Sequence, residues 1–400
     1  MTLLIRDIRQ LATPAGTLAP LRGKALRDVD VIEDAYVLCD GDRIVSVGRM
    51  RDLSLSGDVE ELDARDWCVV PGLVDCHTHP AFGGDRVGEF ALRAGGASYE
   101  ELHAAGGGIL STVHATRAAG EDGLRTAVER HARWMLRDGT TTWEGKSGYG
   151  LDRETELASL NAISAAGGVP TWLGAHAVPP EFEGADAYLD FVLHDVLPAV
   201  TAPAADVFLE RGAFDAAQAR RYLTACRDAG LALRLHGDQF TESGAIPLAI
   251  ELGARSVDHL EATGDDGVRA LAASDVVGVL LPASALFLDR PMPPARALVD
   301  AGAAIALATD FNPGSSFTTS LPLVCSLAAT QLKLAPAEAL AAVTVNAAHV
   351  LGLADRGRVA PGCRADLVLL DAPDWRYLSY HLAGDVVACV VRGGALAYRR

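Results

Sequence analysis

Eight short apolar runs alternate with amphipathic, helix-like segments through the middle of this 400-residue chain. One strand followed by one helix is the pattern of βα units, which build parallel sheets. Eight units favour a closed (β/α)8 barrel over an open sheet, and such a barrel takes up roughly 250 residues as one domain. The predicted strands are GLVDCH (72–77), TTTWEG (140–145), PTWLGA (170–175), ADVFLE (205–210), LALRLH (231–236), RSVDHL (255–260), VVGVLL (276–281) and AIALAT (304–309).

Both ends of the chain are rich in β-forming residues and glycine turns. Near the N-terminus, AYVLCDGDRIVSVG (35–48) joins two apolar runs through Asp40-Gly41-Asp42, which predicts a hairpin. Near the C-terminus, RADLVLLDAP and GDVVACVVRGGALAY have the same character. We therefore predict an α/β fold: a TIM-like barrel over residues 67–357 and a small composite β-sandwich built from residues 1–66 and 358–400.

Two helices have recognisable ends. Asp215 precedes AAQARRYLTACRDA as a predicted N-cap, and Gly230 follows as the C-terminal cap. Pro336 lies in the first turn of the segment APAEALAAVTVNAAHVLG, where proline is tolerated.

Charge and cysteine content exclude several classes of function. A net charge of −17 argues against nucleic acid or an anionic membrane as a partner. It leaves an anionic small molecule open, because a few local arginines can bind one. Seven scattered cysteines without CxxC spacing indicate reduced thiols. Without signal-peptide or membrane-spanning patterns, we expect a cytoplasmic enzyme.

Several predicted strands end in a residue that can bind a metal. The first ends at His77 and continues to His79, the fifth ends at His236, the sixth contains His259, and Asp310 follows the eighth. Residues two apart on an extended segment share a face, so His77 and His79 can reach one ion. With His236 and Asp310 they form a set of three nitrogens and one oxygen, suited to zinc or iron with an open position for water.

Each of these residues alone also has an ordinary structural explanation, such as a core histidine or a helix-capping aspartate. Their joint occurrence at strand ends, where barrel enzymes place working residues, favours the metal site. A bound cation would make its water nucleophilic near pH 7. Asp310 is then placed to carry the proton to a leaving nitrogen. His259 could polarise the substrate oxygen or shuttle the proton, and both roles stay open.

The motif PGLVDCHTH, with the later His, His and Asp in that order, resembles the amidohydrolase superfamily over essentially the whole chain. Members with two metal ions usually carry a carboxylated lysine at the end of the fourth strand. Here that strand ends ADVFLERG, with Glu210 and no lysine. The resemblance therefore implies a mononuclear centre, with Glu210 beside the site rather than on the ion.

A narrower resemblance, to the imidazolonepropionase family, rests on HTHPAFGGDRVGEF, GGGILSTVHATR, EGKSGYGLDRETEL, LGAHAVPPE, HGDQFTESG, SVDHLEATG and LATDFNPGSS. It implies a metal-dependent cyclic amidohydrolase of histidine degradation, which opens the lactam of 4-imidazolone-5-propanoate to N-formimidoyl-L-glutamate. It also implies one Zn²⁺ or Fe³⁺ per subunit and, typically, a homodimer.

The same resemblance implies roles for individual residues. The metal ligands are His77, His79, His236 and Asp310; the catalytic residues are Asp310, His259 and Gln239; the substrate and product contacts are Arg86, Tyr149, His176, Gln239, Asn312, Gly314 and Ser315. The sequence context of these residues, taken without the resemblance, supports some of these roles. Arg86 lies in the Gly-rich FGGDR loop, where it could bind a carboxylate or be an ordinary solvated charge. Lys146 could likewise contact substrate or pair with Glu144, and the 312–315 stretch could bind an anion or form a turn.

Two alternatives remain at this stage. Another mononuclear amidohydrolase, such as an aminohydrolase of a nucleobase-like ring, would use the same ion. Gln239 counts against it, because it stands where such deaminases have an acid three residues after the strand-five histidine. A non-catalytic barrel that serves binding or assembly would be expected to have lost part of the metal set, which here is complete.

Overall fold

The computed structural model describes residues 2–55, 57–96 and 108–400, so residues 106–107 of the GGGILSTVHATR segment lie outside the described residues. The described residues form two eight-stranded sheets. Their strands are β1 Thr2–Pro14, β2 Val29–Asp40, β3 Arg43–Arg49, β4 Glu60–Asp63, β5 Cys68–Pro71, β6 Leu73–Asp75, β7 Thr140–Lys146, β8 Val169–Ala175, β9 Ala204–Leu209, β10 Ala232–Gly237, β11 Ser256–His259, β12 Val277–Leu280, β13 Ile305–Leu307, β14 Leu367–Leu370, β15 Val387–Arg392 and β16 Ala395–Arg399.

Strands β6 to β13 coincide with the eight predicted apolar runs and pair in parallel in chain order. The first and last strands meet just beyond their carboxyl ends, through a parallel bridge between Thr78 and Phe311. There the Asp310 N–H donates to the His77 carbonyl at 3.0 Å, and the His79 N–H donates to the Phe311 carbonyl at 2.8 Å. The predicted (β/α)8 barrel is confirmed, and its seam joins two metal-site segments.

Helices cover the outside of the barrel. For two of them the sequence predicted where the helix begins or ends, and the structure can be compared with those predictions. Asp215 accepts hydrogen bonds from the backbone of Ala217 and Gln218, and the Gln218 side chain accepts one back from Asp215 N–H, so the N-cap is confirmed. Gly230 lies just past the helix with φ of +88°. The helices are Val87–Ala94, Ile109–Arg137, Arg153–Ala165, Ala185–Phe191, Ala216–Asp228, Ala245–Leu252, Asp265–Ala272, Pro282–Phe287, Ala295–Ala301, Leu321–Thr330, Pro336–Ala342, Val345–Val350 and Tyr377–Tyr380.

The segment that begins at Pro336 forms two helices rather than one. Thr344 leaves the helical conformation, and its hydroxyl donates to the Leu340 carbonyl. Asn346, in the second helix, donates to the Ile305 carbonyl at 2.7 Å and exchanges hydrogen bonds with the backbone of Leu21. The break therefore lets a buried amide side chain fasten this helix to strand β13 and to the N-terminal region.

The two ends of the chain form the second, mixed sheet, in the order β16-β15-β14-β5-β1-β2-β3 with β4 beside β1. The predicted hairpin joins β2 and β3, with Asp40 opposite Arg43 and Gly41 at φ of +55°. Strand β5, at Cys68–Pro71, links the N-terminal strands to β14, so this sheet continues past the predicted limit at residue 66. No helix of the described residues is long and apolar enough to cross a membrane.

Candidate metal centre and its surroundings

The four predicted metal ligands meet at the carboxyl end of the barrel, and none is more than 3% exposed. His79 Nε2 lies 3.3 Å from His77 Nε2 and 3.4 Å from His236 Nε2. Asp310 Oδ1 lies 3.5 Å from Nε2 of both His77 and His79. Ligand atoms about 2.1 Å from a tetrahedral ion lie roughly 3.4 Å from one another, so these four separations match those around one ion. The ligand atoms that lie within 4.8 Å of one another form two groups, one of His77, His79 and Asp310 and one of His77, His236 and His259, which share His77.

Asp258 and Asp206 determine which ring nitrogen of His77 and of His236 carries the proton. His77 Nδ1 lies 2.6 Å from Asp258 Oδ2, and His236 Nδ1 lies 3.1 Å from Asp206 Oδ1. An ionised carboxylate only accepts hydrogen bonds, so each Nδ1 carries the proton and each Nε2 presents a bare lone pair. Burial is the main cause that lowers the pKa of His77 to about 3 and that of His79 to about 4. Neutral nitrogens aimed at one point fit a cation.

Asp310 completes this donor set as an ionised carboxylate. Burial alone would raise its pKa, but the adjacent His77, His79 and His259 rings hold the pKa well below the usual range. Its second oxygen, Oδ2, accepts a hydrogen bond from Ser315 Oγ at 3.3 Å. One oxygen can therefore face a metal while the other is available for proton transfer.

His259 lies beside the four ligands. Its ring centre is 5.7 Å from that of His77 and 5.4 Å from that of His236. Its Nδ1 faces Glu261 at 3.4 Å. Burial opposes the charged form, but Glu261 and other carboxylates raise the pKa of His259 overall. A protonated His259 can donate a hydrogen bond to a substrate oxygen.

Backbone conformation turns these side chains toward the mouth of the barrel. His259 and Leu260 have φ of +90° and +72°, and Asp310 has φ of +53°. Residues other than glycine rarely adopt such angles, which cost about 1–3 kcal/mol each and concentrate at functional sites. Nothing in the sequence pattern indicated these conformations.

Five charged side chains fill the barrel beneath the ligands, all at most 1% exposed: Glu144, Lys146, Asp206, Arg234 and Asp258. Lys146 Nζ lies 2.6 Å from Asp206 and 3.0 Å from Glu144, and Arg234 contacts Glu144 and, at 3.1 Å, Asp258. Lys146 therefore pairs internally, which answers the question the sequence left open. Three carboxylates against two cations leave a net negative charge under the site, which suits a metal ion above it.

Sequence reasoning missed Asp206 and Asp258, which orient the histidine ligands. The signal that could have found them is a carboxylate inside an otherwise apolar strand. ADVFLE and RSVDHL each carry one in the middle. Because buried carboxylates need partners, such positions indicate a polar barrel interior.

Tyr149 and His176 form an aromatic wall beside His79. The ring centres lie 5.9 Å and 5.6 Å from that of His79. His176 Nδ1 lies 2.9 Å from the Gly148 carbonyl oxygen, so it carries the proton and Nε2 is left as an acceptor. Burial lowers the pKa of His176 to about 3 and raises that of Tyr149, so both groups are neutral.

The stretch after Asp310 closes on itself as a turn. Asn312 Oδ1 accepts the N–H groups of Gly314 at 2.8 Å and Ser315 at 2.7 Å. The anion-binding alternative for these amides is therefore not what the structure has, because the Asn312 side chain already uses them. Arg86 lies directly against this turn: a β-carbon placed on Gly314 would be 2.1 Å from Arg86 Nη1.

Glu210 holds the loop that carries Gln239. Its carboxylate accepts hydrogen bonds from Phe240 N at 2.8 Å and Thr241 N at 3.2 Å. Gln239 itself is only 7% exposed. Glu210 therefore lies beside the site, as the sequence predicted, and outside the groups of ligand atoms that converge among the described residues.

Comparison with known proteins agrees with this geometry. Residues 86–398 match the model of the amidohydrolase family. An imidazolonepropionase of Rubrobacter xylanophilus is 60% identical over 408 residues, covering 99% of this chain and 98% of that protein. One of Chloroflexus aggregans is 48% identical, covering 98% of this chain and 97% of its own length.

Solved structures share the fold at much lower identity. A zinc-bound adenosine deaminase of Xanthomonas campestris has a TM-score of 0.71 at 20% identity, covering 98% of this chain and 92% of that one. An N-isopropylammelide isopropylaminohydrolase of Burkholderia multivorans has a TM-score of 0.70 at 21% identity, covering 100% and 98%. The amidohydrolase family match, together with the histidine cluster, supports a metal cofactor. Because the near-complete match is to imidazolonepropionases, the chain belongs to the imidazolonepropionase family of the amidohydrolases.

Proposed function

We propose that this chain hydrolyses the lactam bond of 4-imidazolone-5-propanoate to N-formimidoyl-L-glutamate. The observation that carries the proposal is that four of the separations among the ligand atoms of His77, His79, His236 and Asp310 are 3.3–3.5 Å. The chain that brings these atoms together is 60% identical to an imidazolonepropionase. Family membership supports the ring as substrate, and the site supplies the groups that its hydrolysis needs.

One zinc or iron ion would be held by His77, His79, His236 and Asp310. Both metals accept imidazole and carboxylate ligands, so the donor set fits either. When bound, the ion supplies a nucleophile at neutral pH, because it lowers the pKa of a coordinated water from about 15.7 to about 7.

Asp310 and His259 handle the protons and the developing charge. Asp310 Oδ2 accepts the proton released as water adds to the lactam carbon, and it returns that proton to the ring nitrogen when the C–N bond breaks. His259 donates a hydrogen bond to the carbonyl oxygen, where negative charge develops. One water is consumed, and the product carries a new carboxylate and an amidine.

The remaining predicted residues would bind and orient the substrate. Arg86 pairs with the propanoate carboxylate through charge-assisted hydrogen bonds. The ring is held by Tyr149 Oη, His176 Nε2 and the Gln239 amide, and the product is contacted by Asn312, Gly314 and Ser315. Gln239 can donate and accept hydrogen bonds but cannot take a proton, so its part in catalysis is orientation.

A direct assay tests this proposal. Freshly prepared imidazolone propanoate is incubated with the protein, and both imidazolone absorbance and ammonia are followed. We expect the absorbance to fall without ammonia release, because lactam opening keeps both ring nitrogens in the product. Ammonia release in step with turnover would instead indicate an aminohydrolase.

The family resemblance also leads us to propose a cytoplasmic homodimer. Light scattering on the purified protein tests the assembly, with twice the mass of the 41.9 kDa chain as the expected result. A monomer at micromolar concentration would contradict it.

A further inference from the structure

One edge of the Arg86 guanidinium is already occupied by a carboxylate of the same chain. Arg86 Nε donates to Glu89 Oε2 at 3.0 Å, and Nη2 donates to Glu89 Oε1. Glu89 Oε2 also accepts the Gly108 N–H at 2.8 Å, at the start of helix Ile109–Arg137. The side chains of Arg86 and Glu89 are only 16% and 15% exposed. Glu89 thus ties Arg86 to a second helix.

The other edge of the guanidinium faces the turn after Asp310. Nη1 lies against Gly314, and it donates no hydrogen bond within the part of the chain that the structure describes. Gly314 does not have a positive φ, so its backbone could accommodate a side chain. A β-carbon at this position would instead displace the end of the Arg86 side chain.

We propose that Glu89 is a positioning residue that clamps one edge of Arg86, so that the Nη1 edge is presented to the carboxylate of the substrate. On the side of the guanidinium opposite Glu89, the absence of a side chain at Gly314 leaves room for Arg86 Nη1. Together the two residues set the preference for an anionic tail. This inference rests on the proposed function, in which Arg86 binds the propanoate.

The physical reason is preorganisation. A free arginine side chain carries about 2 kcal/mol of rotamer entropy, part of which is lost when it binds a carboxylate. A guanidinium held beforehand loses less on binding, which favours the substrate. The hydrogen bond from Gly108 fixes Glu89 itself, so Glu89 acts as a support rather than as a competitor that the substrate must displace.

The first test is Glu89→Gln, with Glu121→Gln on an exposed helix surface as a control that removes the same charge. kcat and KM are measured for imidazolone propanoate and for the neutral propanamide analogue. We expect Glu89→Gln to raise KM for the propanoate about tenfold, while kcat changes little and bound metal is unchanged. KM for the propanamide should match that of the wild type, because the neutral tail has no charge for Arg86 to pair with.

A second variant keeps the test independent of Glu89. Gly314→Ala should displace only the end of Arg86 and likewise raise KM for the propanoate, whereas Gly88→Ala, which meets open space, should not. An unchanged or lower KM for the propanoate in Glu89→Gln, or an equal rise for both substrates, would overturn the inference. Wild-type protein that leaves imidazolone propanoate intact would refute the proposed function instead.

Discussion

The two sides of the barrel mouth are built differently. On the metal side, His77, His79 and His236 project from strands or their ends, and Asp258 and Asp206 lock two of them from below. On the substrate side, Arg86 and the 312–315 turn lie on loops, and local hydrogen bonds hold them. The metal side is buried and held by hydrogen bonds between residues far apart in the chain, whereas the substrate side depends on short-range contacts. We therefore expect changes on the metal side to abolish turnover and changes on the substrate side to alter binding.

The largest effect is expected from Asp310→Asn. The amide cannot take a proton and is a poorer ligand, so kcat should fall by about 10³-fold or more. Steady-state kinetics measures this, and circular dichroism checks that the barrel remains folded. Turnover at the wild-type rate would remove Asp310 from the chemistry.

A smaller effect should follow from Asp258→Asn, which leaves the metal ligands in place but weakens the hold on His77. Loss of such a partner typically costs about 10–100-fold in metal affinity. Competition with a chromogenic chelator measures the affinity, and the exposed Asp265→Asn serves as a control. If both variants bind metal like the wild type, the buried carboxylate does not orient the ligand.

On the substrate side, Arg86→Ala should raise KM for imidazolone propanoate by about 10–100-fold, the range expected for charge-assisted hydrogen bonds. The metal content should stay at the wild-type level, because Arg86 contacts none of the ligands. A fall in kcat with KM unchanged would contradict the division between the two sides.

The smallest effect is expected from Asp215→Ala, which removes a helix N-cap and none of the groups proposed to bind metal or substrate. Removing this N-cap should lower the free energy of unfolding by about 1 kcal/mol. Denaturant unfolding measures the change, and kcat and KM should remain those of the wild type. Altered kcat or KM would show that general destabilisation of the fold changes the active site. The different effects expected for the metal side and the substrate side would then not be specific to those sides.

Much of the fold could be predicted from sequence because buried parallel strands are continuous apolar runs. The eight runs became β6 to β13, and the Asp40–Asp42 hairpin and the Asp215 cap depend only on local residues. The split after Pro336 was not predictable, since it depends on Asn346 reaching Ile305 and Leu21. Local patterns do not contain such distant partners.

The site divides in the same way. The histidines at strand ends were predictable because a barrel brings all strand ends together. Asp258 was missed because its partner His77 lies 181 residues away in the chain. The sequence also left open whether residues 312–315 bind an anion, and only the structure shows that Asn312 Oδ1 accepts both amide N–H groups.

The most direct test of the central claim is metal analysis coupled to activity. Purified protein is stripped by a chelator, then titrated with zinc or iron while hydrolysis of imidazolone propanoate is followed, in the wild type and in His77→Ala. We expect activity to vanish on stripping, to return at one equivalent of metal per chain, and to stay absent in His77→Ala. Full activity in the metal-free wild type would contradict the account.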